Sequence, residues 1–171
     1  NKMNTYLNKL LKTDDYDYVI ASDTDSIYLN LGPMVEAVYK ERKKDGESIV
    51  RFLDKVCQVE FEKYIESSYQ ELSSYVNAYE QKMVMKRENI ANKGIWTAKK
   101  RYILNVWNSE GVQYDKPKLK MMGIEAVKSS TPAPCRDAIK EALNVIMSGN
   151  ESDVQDYIDK FRREFESMTP E

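Results

Sequence analysis

Two short apolar runs near the start of the chain flank an acidic tripeptide, Asp23-Thr24-Asp25. The runs at 18–21 and 27–29 have the length and the β-branched and aromatic content of strands, and aspartate favours turns. The pattern therefore predicts a β-hairpin with carboxylates at its tip. Residues i and i+2 of an extended backbone face the same side about 6.5–7 Å apart, so we expect these carboxylates to be neighbours.

Two carboxylates at that spacing suit Mg²⁺, which prefers oxygen ligands and shares them with substrate phosphates. A pair of such ions about 3.5–4 Å apart can stabilise the attacking and leaving oxygens of phosphoryl transfer. A bare Asp-x-Asp is nevertheless most often a plain surface turn. An EF-hand calcium loop is excluded by register, because Tyr28 stands where that loop needs glycine and Met34 where it needs glutamate.

The remaining apolar pattern switches between helical and extended periods. Helices are predicted at 2–12, at 34–44 with a charged turn at 43–47, at 49–79, and as two C-terminal segments separated by Gly149-Asn150. Strands are predicted at 82–91, 101–107 and 112–114, with turns at 92–94 and 109–111. The fold class is therefore α+β: an antiparallel sheet with a long helix packed on it, followed by a helical end.

Composition limits the chemistry that the chain can perform. Of its 171 residues, 42% are apolar, and no apolar run approaches the ~18–20 residues of a membrane span. The absence of histidine excludes serine-triad and histidine-base catalysis and removes the commonest zinc ligand. The two cysteines, Cys57 and Cys135, indicate free thiols in a reducing compartment.

The net charge of −2 conceals a strong asymmetry along the chain. Residues 82–128 carry +7, between a segment of −5 at 1–81 and one of −4 at 129–171. A basic block attracts polyanions such as nucleic acids, although a charge cluster alone is more often a solvated face.

Lys99-Lys100-Arg101 lies inside this block, between Trp96 and the predicted strand that begins near Tyr102. Basic side chains beside aromatic rings on a sheet favour phosphate neutralisation together with packing against sugars. Strand alternation places Lys100 and Tyr102 on one face, so both could contact one ligand.

Together these motifs resemble the palm domain of family B DNA polymerases, and most closely the replicative polymerases of T-even-type bacteriophages. Asp-Thr-Asp-Ser followed by Ile-Tyr is similar to the family's motif C hairpin, in which both aspartates sit at the metal site. The resemblance implies that Asp23 and Asp25 are catalytic and bind Mg²⁺. Ala21-Ser22 stands where many members have Tyr-Gly, so no DNA contact of that tyrosine is carried over.

The sequence Lys-Lys-Arg-Tyr, 74 residues after Asp25, resembles the signature with which the family grips the primer strand near its 3′ end. The resemblance implies DNA binding by Lys100 and Tyr102, with Lys99 and Arg101 as their neighbours.

Glu88 corresponds to an acidic residue that the family places close to motif C, and the resemblance implies that it is a third metal ligand. A lone glutamate in a strand is otherwise usually solvated or salt-bridged. Lys86 stands where the phage enzymes have another carboxylate and is not carried over.

Residues 114–132 resemble the passage from palm to thumb in the phage enzymes, where the chain runs along duplex DNA. Lys118, Lys120 and Lys128 are the expected phosphate contacts there. The alternative is a basic loop, with Ser129–Thr131 capping the helix that follows.

The resemblance implies a palm-type sheet, with 1–128 as the C-terminal half of the palm and 129–171 as the helical start of the thumb. The sequence lacks motif A, with its metal-binding aspartate, and the motif B helix, which binds the incoming nucleotide. We therefore expect a fragment of a DNA-directed DNA polymerase that contributes to two-metal nucleotidyl transfer, binds metal weakly by itself and is inactive alone.

The expected partners are primer-template DNA, a deoxynucleoside triphosphate and the upstream part of the polymerase, in the cytoplasm of a phage host and without a membrane. Two alternatives stay open. One is a non-catalytic DNA-binding module derived from a palm; the other is a two-metal nuclease, for which a single carboxylate pair is thin support.

Overall fold

The computed structural model describes residues 2–40 and 45–167, in two compact units, Asn1–Ile90 and Ala91–Glu171. Helices and antiparallel strands occur in both, so the predicted α+β class is confirmed. Within the described residues, no helix is long and apolar enough to cross a membrane. The predicted boundary between palm and thumb at 128/129 differs from the division between these units at 90/91. It stays a prediction.

The first unit is mostly helical and carries one hairpin. Its elements are α1 (Lys2–Leu11), β1 (Val19–Asp23), β2 (Ser26–Leu29), α2 (Gly32–Val38), α3 (Gly46–Val56), a π-helical turn (Cys57–Phe61) and α4 (Glu62–Tyr75). The core of this unit joins α1 and the hairpin to α2 and the long helix through the buried residues Met3, Leu7, Tyr18, Met34, Cys57 and Phe61. A two-stranded hairpin is only marginally stable by itself, so this packing supports it.

The helix predicted at 49–79 is confirmed as a continuous helical segment from Gly46 to Tyr75. Its middle turn is π-helical, a form that inserts one residue and is common at functional sites. The helix predicted at 34–44 is shorter, because it ends at Val38. Residues 41–44, which include part of the predicted charged turn, lie outside the described residues.

Cys57 and Cys135 are both free thiols, but their surroundings differ. Burial raises the pKa of Cys57 from its ordinary value of 9.0 to about 11, whereas Cys135 is partly exposed. We expect Cys135 to react quickly with a disulfide reagent at about pH 8 and Cys57 to react only as fast as the first unit opens. Thiol-release kinetics of the wild type and of Cys135→Ser would measure this, and equal rates for the two thiols would contradict it.

The same pKa shift has a consequence at alkaline pH. Between about pH 9 and 11 the unfolded chain releases a proton that folded Cys57 retains, so stability falls as the pH rises through this window. The loss is up to about 2–3 kcal/mol. Urea denaturation across the window should show a shallower decline for Cys57→Ala than for the wild type.

The second unit contains a three-stranded sheet and a helical pair. Its elements are β3 (Asn89–Ala98), β4 (Arg101–Ser109), β5 (Val112–Met122), a 3₁₀ turn (Glu125–Val127), α5 (Ala133–Ser148) and α6 (Glu151–Glu166). The sheet order is β3-β4-β5, with β4 and β5 antiparallel. Its core is formed by Ile103, Ile124, Ala126, Leu143 and Met147.

The helix break predicted at Gly149-Asn150 is confirmed. Gly149 follows the last residue of α5, and the Asn150 side chain caps α6 by accepting from the backbone N–H groups of Ser152 and Asp153 at 2.9 and 3.2 Å. In turn, the Asp153 carboxylate accepts a hydrogen bond from the Asn150 N–H at 2.8 Å, which completes a capping box.

Two predictions around β3 are wrong. The strand begins at Asn89, so residues 82–88 are not part of it, and the predicted turn at 92–94 lies inside it. Gly94 is needed there for close packing, because a Cβ atom would lie 2.7 Å from the Trp96 ring and 2.9 Å from Leu104. The chain turns at residues 99–100 instead, with Lys100 at φ 61°.

The third strand is confirmed but is much longer than 112–114, since β5 continues to Met122. Pro117 does not end it, because β5 is an edge strand and one of its sides needs no backbone donors. The capping role considered for Ser129–Thr131 is not observed: the residue before α5 is Pro132, and no side chain caps that helix.

Candidate functional site

Helix α1 holds the segment that leads into the acidic hairpin. The Asn8 side chain donates to the carbonyl of Tyr16 at 2.8 Å and accepts from the Tyr16 N–H at 2.9 Å. One turn earlier, Asn4 accepts from the N–H of Val19 at 2.8 Å and donates to Asp17 at 2.5 Å. Residues i and i+4 share one face of a helix, so both amides act on the same stretch and fix where β1 begins.

The predicted hairpin is confirmed, with Asp23 at the end of β1 paired with Ser26 at the start of β2. Thr24 and Asp25 form the turn. The Ser26 hydroxyl donates to the Asp23 carbonyl and the Thr24 hydroxyl to the Asp23 carboxylate, both at 3.1 Å. The backbone between the aspartates is not extended as expected, because Thr24 has φ 47°. Strand alternation therefore does not relate the two side chains, and Asp25 belongs to the turn that follows Asp23.

The two carboxylates differ in exposure: Asp23 is half-buried and Asp25 is exposed. Neither forms an ion pair with the described residues. Hard oxygen donors of this kind suit Mg²⁺. Across 2–40 and 45–167 there is no group of three or more Asp, Glu, Cys or His side chains that could hold a metal, and metal binding by the pair stays a prediction.

Glu88 is exposed and lies just before β3, not within a strand. Its role as a third ligand stays a prediction. Its position is set by the preceding residue, Arg87, whose side chain is 8% exposed and forms an ion pair with Asp54 of α3. The Arg87 N–H also donates to Glu62 of α4 at 3.0 Å, and its guanidinium donates to the Glu88 carbonyl at 3.2 Å.

Arg87 thus ties the segment before β3 to the long helix on both sides of its π-helical turn. Its sequence context suggests no such role. Within a charged stretch an arginine is usually solvated, and its partners lie 25 and 33 residues earlier in the chain. A lysine-rich context gave no signal that this one side chain would be buried.

The hairpin of β3 and β4, called here the basic hairpin, belongs to the second unit. Lys99 and Lys100 are exposed and form the turn between β3 and β4. The backbone of Gly123 packs against this turn, since a Cβ atom there would overlap the Lys100 carbonyl oxygen. Gly123 also has φ 66°, which favours glycine. Both features require glycine at the end of β5, and they fix the position of the turn.

Tyr102 is only 7% exposed and lies opposite Met122, with its ring centroid 6.4 Å from that of Trp96. Lys100 is in the turn rather than in the strand, so strand alternation does not relate it to Tyr102. DNA binding by either residue stays a prediction.

Arg101 and Lys128 are held by one carboxylate. The Arg101 Nη2 atom donates to Glu125 Oε1 and Oε2 at 2.6 and 2.5 Å, and Lys128 Nζ donates to Oε1 at 3.1 Å. Hydrogen bonds from its own backbone and from Lys128, together with the nearby Arg101, lower the pKa of Glu125. The carboxylate is therefore charged at neutral pH.

Lys118 and Lys120, for which a basic loop was the alternative to phosphate contact, lie on β5, and their contact with phosphate stays a prediction. Lys118 and Lys120 pair with Val106 and Leu104 and alternate with Leu119, so they share one face about 6.5–7 Å apart, whereas the register of β5 is irregular between Gln113 and Lys118. The Lys118 ammonium lies 4.2 Å from the centre of the Tyr114 ring. The edge strand thus carries Lys116, Lys118 and Lys120, and the alternative of a basic loop does not hold for this stretch.

Comparison with known proteins gives two informative matches. The chain is 37% identical to the DNA-directed DNA polymerase of Enterobacteria phage T4, over 98% of this chain and 20% of that protein. It is 40% identical to the DNA-directed DNA polymerase of Escherichia phage RB69, over 88% of this chain and 18% of that protein. No family model matches.

The chain spans about a fifth of the length of these relatives, and the aligned region includes nearly all of its own residues. At this identity and coverage the similarity reflects common ancestry. The chain is therefore similar, over nearly its whole length, to one segment of these phage DNA-directed DNA polymerases.

Proposed function

We propose that this chain supplies two carboxylates, Asp23 and Asp25, to the catalytic site of a DNA-directed DNA polymerase. The observation that carries the proposal is a turn with two aspartates, free of ion pairs with the described residues, in a chain related over 98% of its length to such a polymerase. Glu88 is proposed as a further ligand. The remaining ligands, the incoming deoxynucleoside triphosphate and the template would be bound with the rest of the enzyme.

Each part of the hairpin has a role in this proposal. Asp23 and Asp25 would hold divalent metal, Mg²⁺ in the first place, which stabilises the attacking and leaving oxygens during nucleotidyl transfer. The Thr24 hydroxyl donates to the Asp23 carboxylate and limits its movement, and the Ser26 hydroxyl stabilises the turn through the Asp23 carbonyl. The asparagines of α1 hold the strand that carries Asp23. Preorganisation of this kind lets charged ligands act without rearrangement during the reaction.

The test is primer extension by a chimaera in which this chain replaces the matched fifth of the T4 enzyme. The proposal predicts extension that depends on a divalent metal and on all four deoxynucleoside triphosphates. A chimaera that folds and binds primer-template but does not extend it in any divalent metal would refute the proposal. The same proposal places the chain in the cytoplasm of a bacterial host.

A second candidate is DNA binding without catalysis, which the +7 block at 82–128 favours. Lys99→Ala/Lys100→Ala should weaken primer-template binding and lower the slope of log K against log salt by about 0.9 for each phosphate that is no longer neutralised. The matched control is Lys55→Ala/Lys63→Ala, which removes two exposed lysines from the long helix of the first unit. Fluorescence anisotropy across a salt series measures both. Equal reductions in affinity for the two pairs would show that net charge, not this hairpin, decides binding.

A further inference from the structure

The cations beside the basic turn are not all available to a ligand. Lys99 and Lys100 are exposed, but Arg101 and Lys128 both contact Glu125. Gly123, two residues before Glu125, packs against the Lys100 carbonyl. The carboxylate and the exposed lysines therefore belong to one small surface of the second unit.

The contacts made by Glu125 are of a kind that another anion can replace. The Arg101, Glu125 and Lys128 side chains are 39%, 44% and 47% exposed, and half-exposed ion pairs contribute little to stability. Both carboxylate oxygens contact the same guanidinium nitrogen, Nη2. A phosphate can instead bind a guanidinium through two nitrogens in parallel, which is a stronger arrangement.

We infer that Glu125 is an internal competitor of nucleic-acid phosphate: it holds Arg101 and Lys128 in ion pairs that a phosphate must displace before it can bind them. This inference rests on the proposed binding of DNA by the basic hairpin. With Glu125 in place, Lys99 and Lys100 can bind any polyanion. Arg101 and Lys128 bind only a phosphate whose position lets it displace the Glu125 carboxylate. Weakly placed DNA is bound less tightly as a result.

The variant that tests this is Glu125→Gln, which keeps the shape of the side chain and removes its charge. The control is Glu110→Gln, which removes the same charge from the exposed β4–β5 turn, where Glu110 forms no ion pair with the described residues. Binding of primer-template is measured by anisotropy across a salt series. Because Glu125 is half-exposed, the substitution should leave the fold intact, and circular dichroism checks this.

Each further cation that binds a phosphate steepens the slope of log K against log salt by about 0.9. If the affinities are equal at about 1 M salt, this difference makes binding about eightfold tighter at about 0.1 M. Glu125→Gln should therefore bind about 8- to 60-fold more tightly than the wild type, with a steeper slope, and Glu110→Gln should change both little. Equal effects of the two variants, or weaker binding by Glu125→Gln, would overturn the inference.

Inorganic tripolyphosphate separates this inference from the proposed function. Calorimetric titration should show tighter binding to Glu125→Gln than to the wild type or to Glu110→Gln. If none of the three proteins binds primer-template, the proposed DNA binding fails, and the tripolyphosphate result alone decides whether Glu125 competes with phosphate. If the affinity of Glu125→Gln for tripolyphosphate is no higher than that of the wild type either, the inference fails as well.

Discussion

Asparagine in place of Asp23 or Asp25 is expected to slow primer extension by the chimaera about a hundredfold to a thousandfold. The amide keeps the size of the side chain but removes the charge that holds divalent metal, and single electrostatic contributions to catalysis are typically worth factors of about 10² to 10³. Single-turnover extension with saturating nucleotide measures the rate. The affinity for primer-template should change far less, because the carboxylates do not contact DNA phosphates favourably.

The matched control is Asp14→Asn/Asp15→Asn. These exposed acids precede β1 and carry the same charges a short distance along the chain. They should leave extension within about twofold of the unsubstituted chimaera, since surface charges far from a site are screened. If the control slows extension as much as Asp23→Asn does, the hairpin acts through the general field of the protein and not as a ligand.

The second large effect is expected at Arg87, where Arg87→Met should lower the free energy of unfolding of the first unit by about 3 kcal/mol or more. Methionine keeps much of the apolar stem and the backbone N–H that donates to Glu62, but it leaves Asp54 without the guanidinium and its charge. An uncompensated carboxylate that is mostly buried is costly, and Asp54 is only 26% exposed. Urea denaturation followed by circular dichroism measures the change.

Two further variants show whether burial is the cause. Arg51→Met removes another arginine–carboxylate pair of the same helix, but Arg51 is 74% exposed, so its loss should cost less than about 1 kcal/mol. Arg87→Met/Asp54→Leu removes both charges and should recover much of the stability lost in the single variant. Equal costs for Arg87→Met and Arg51→Met would mean that the Arg87 pair is no more important than a surface pair.

Local periodicity predicted most of the fold. The long helix and the C-terminal pair follow from apolar residues at helical spacing, and the acidic hairpin follows from two short strands around Asp23-Thr24-Asp25. In each case the signal and the structure involve neighbouring residues. For the same reason the positions of the candidate carboxylates could be predicted, although the backbone conformation at Thr24 could not.

The errors arose where distant residues decide the structure. Gly94 resembles a turn residue in sequence, but it lies within β3 because Trp96 and Leu104 leave no room for a Cβ atom. The strand predicted at 112–114 continues to Met122 because an edge strand tolerates the charges and the proline of Lys116–Lys120. Neither outcome could be read from a short window of sequence.

The ion-pair partners of Arg87 and Arg101 could not be predicted from the sequence either. Arg87 pairs with a helix residue 33 positions earlier, and Arg101 with a residue 24 positions later. A count of basic residues treats Lys99, Arg101 and Lys128 as equal contributors to a positive surface. The structure separates the exposed lysines of the turn from the two cations that Glu125 holds.

The central claim is that Asp23 and Asp25 bind divalent metal, and paramagnetic broadening by Mn²⁺ tests it directly on this chain. Amide resonances of residues 23–26 should broaden first as Mn²⁺ is added, and Asp23→Asn/Asp25→Asn should abolish that local effect. Broadening centred instead on the other acidic stretch, 14–17, or spread evenly over the chain and unchanged in the double variant, would contradict the claim.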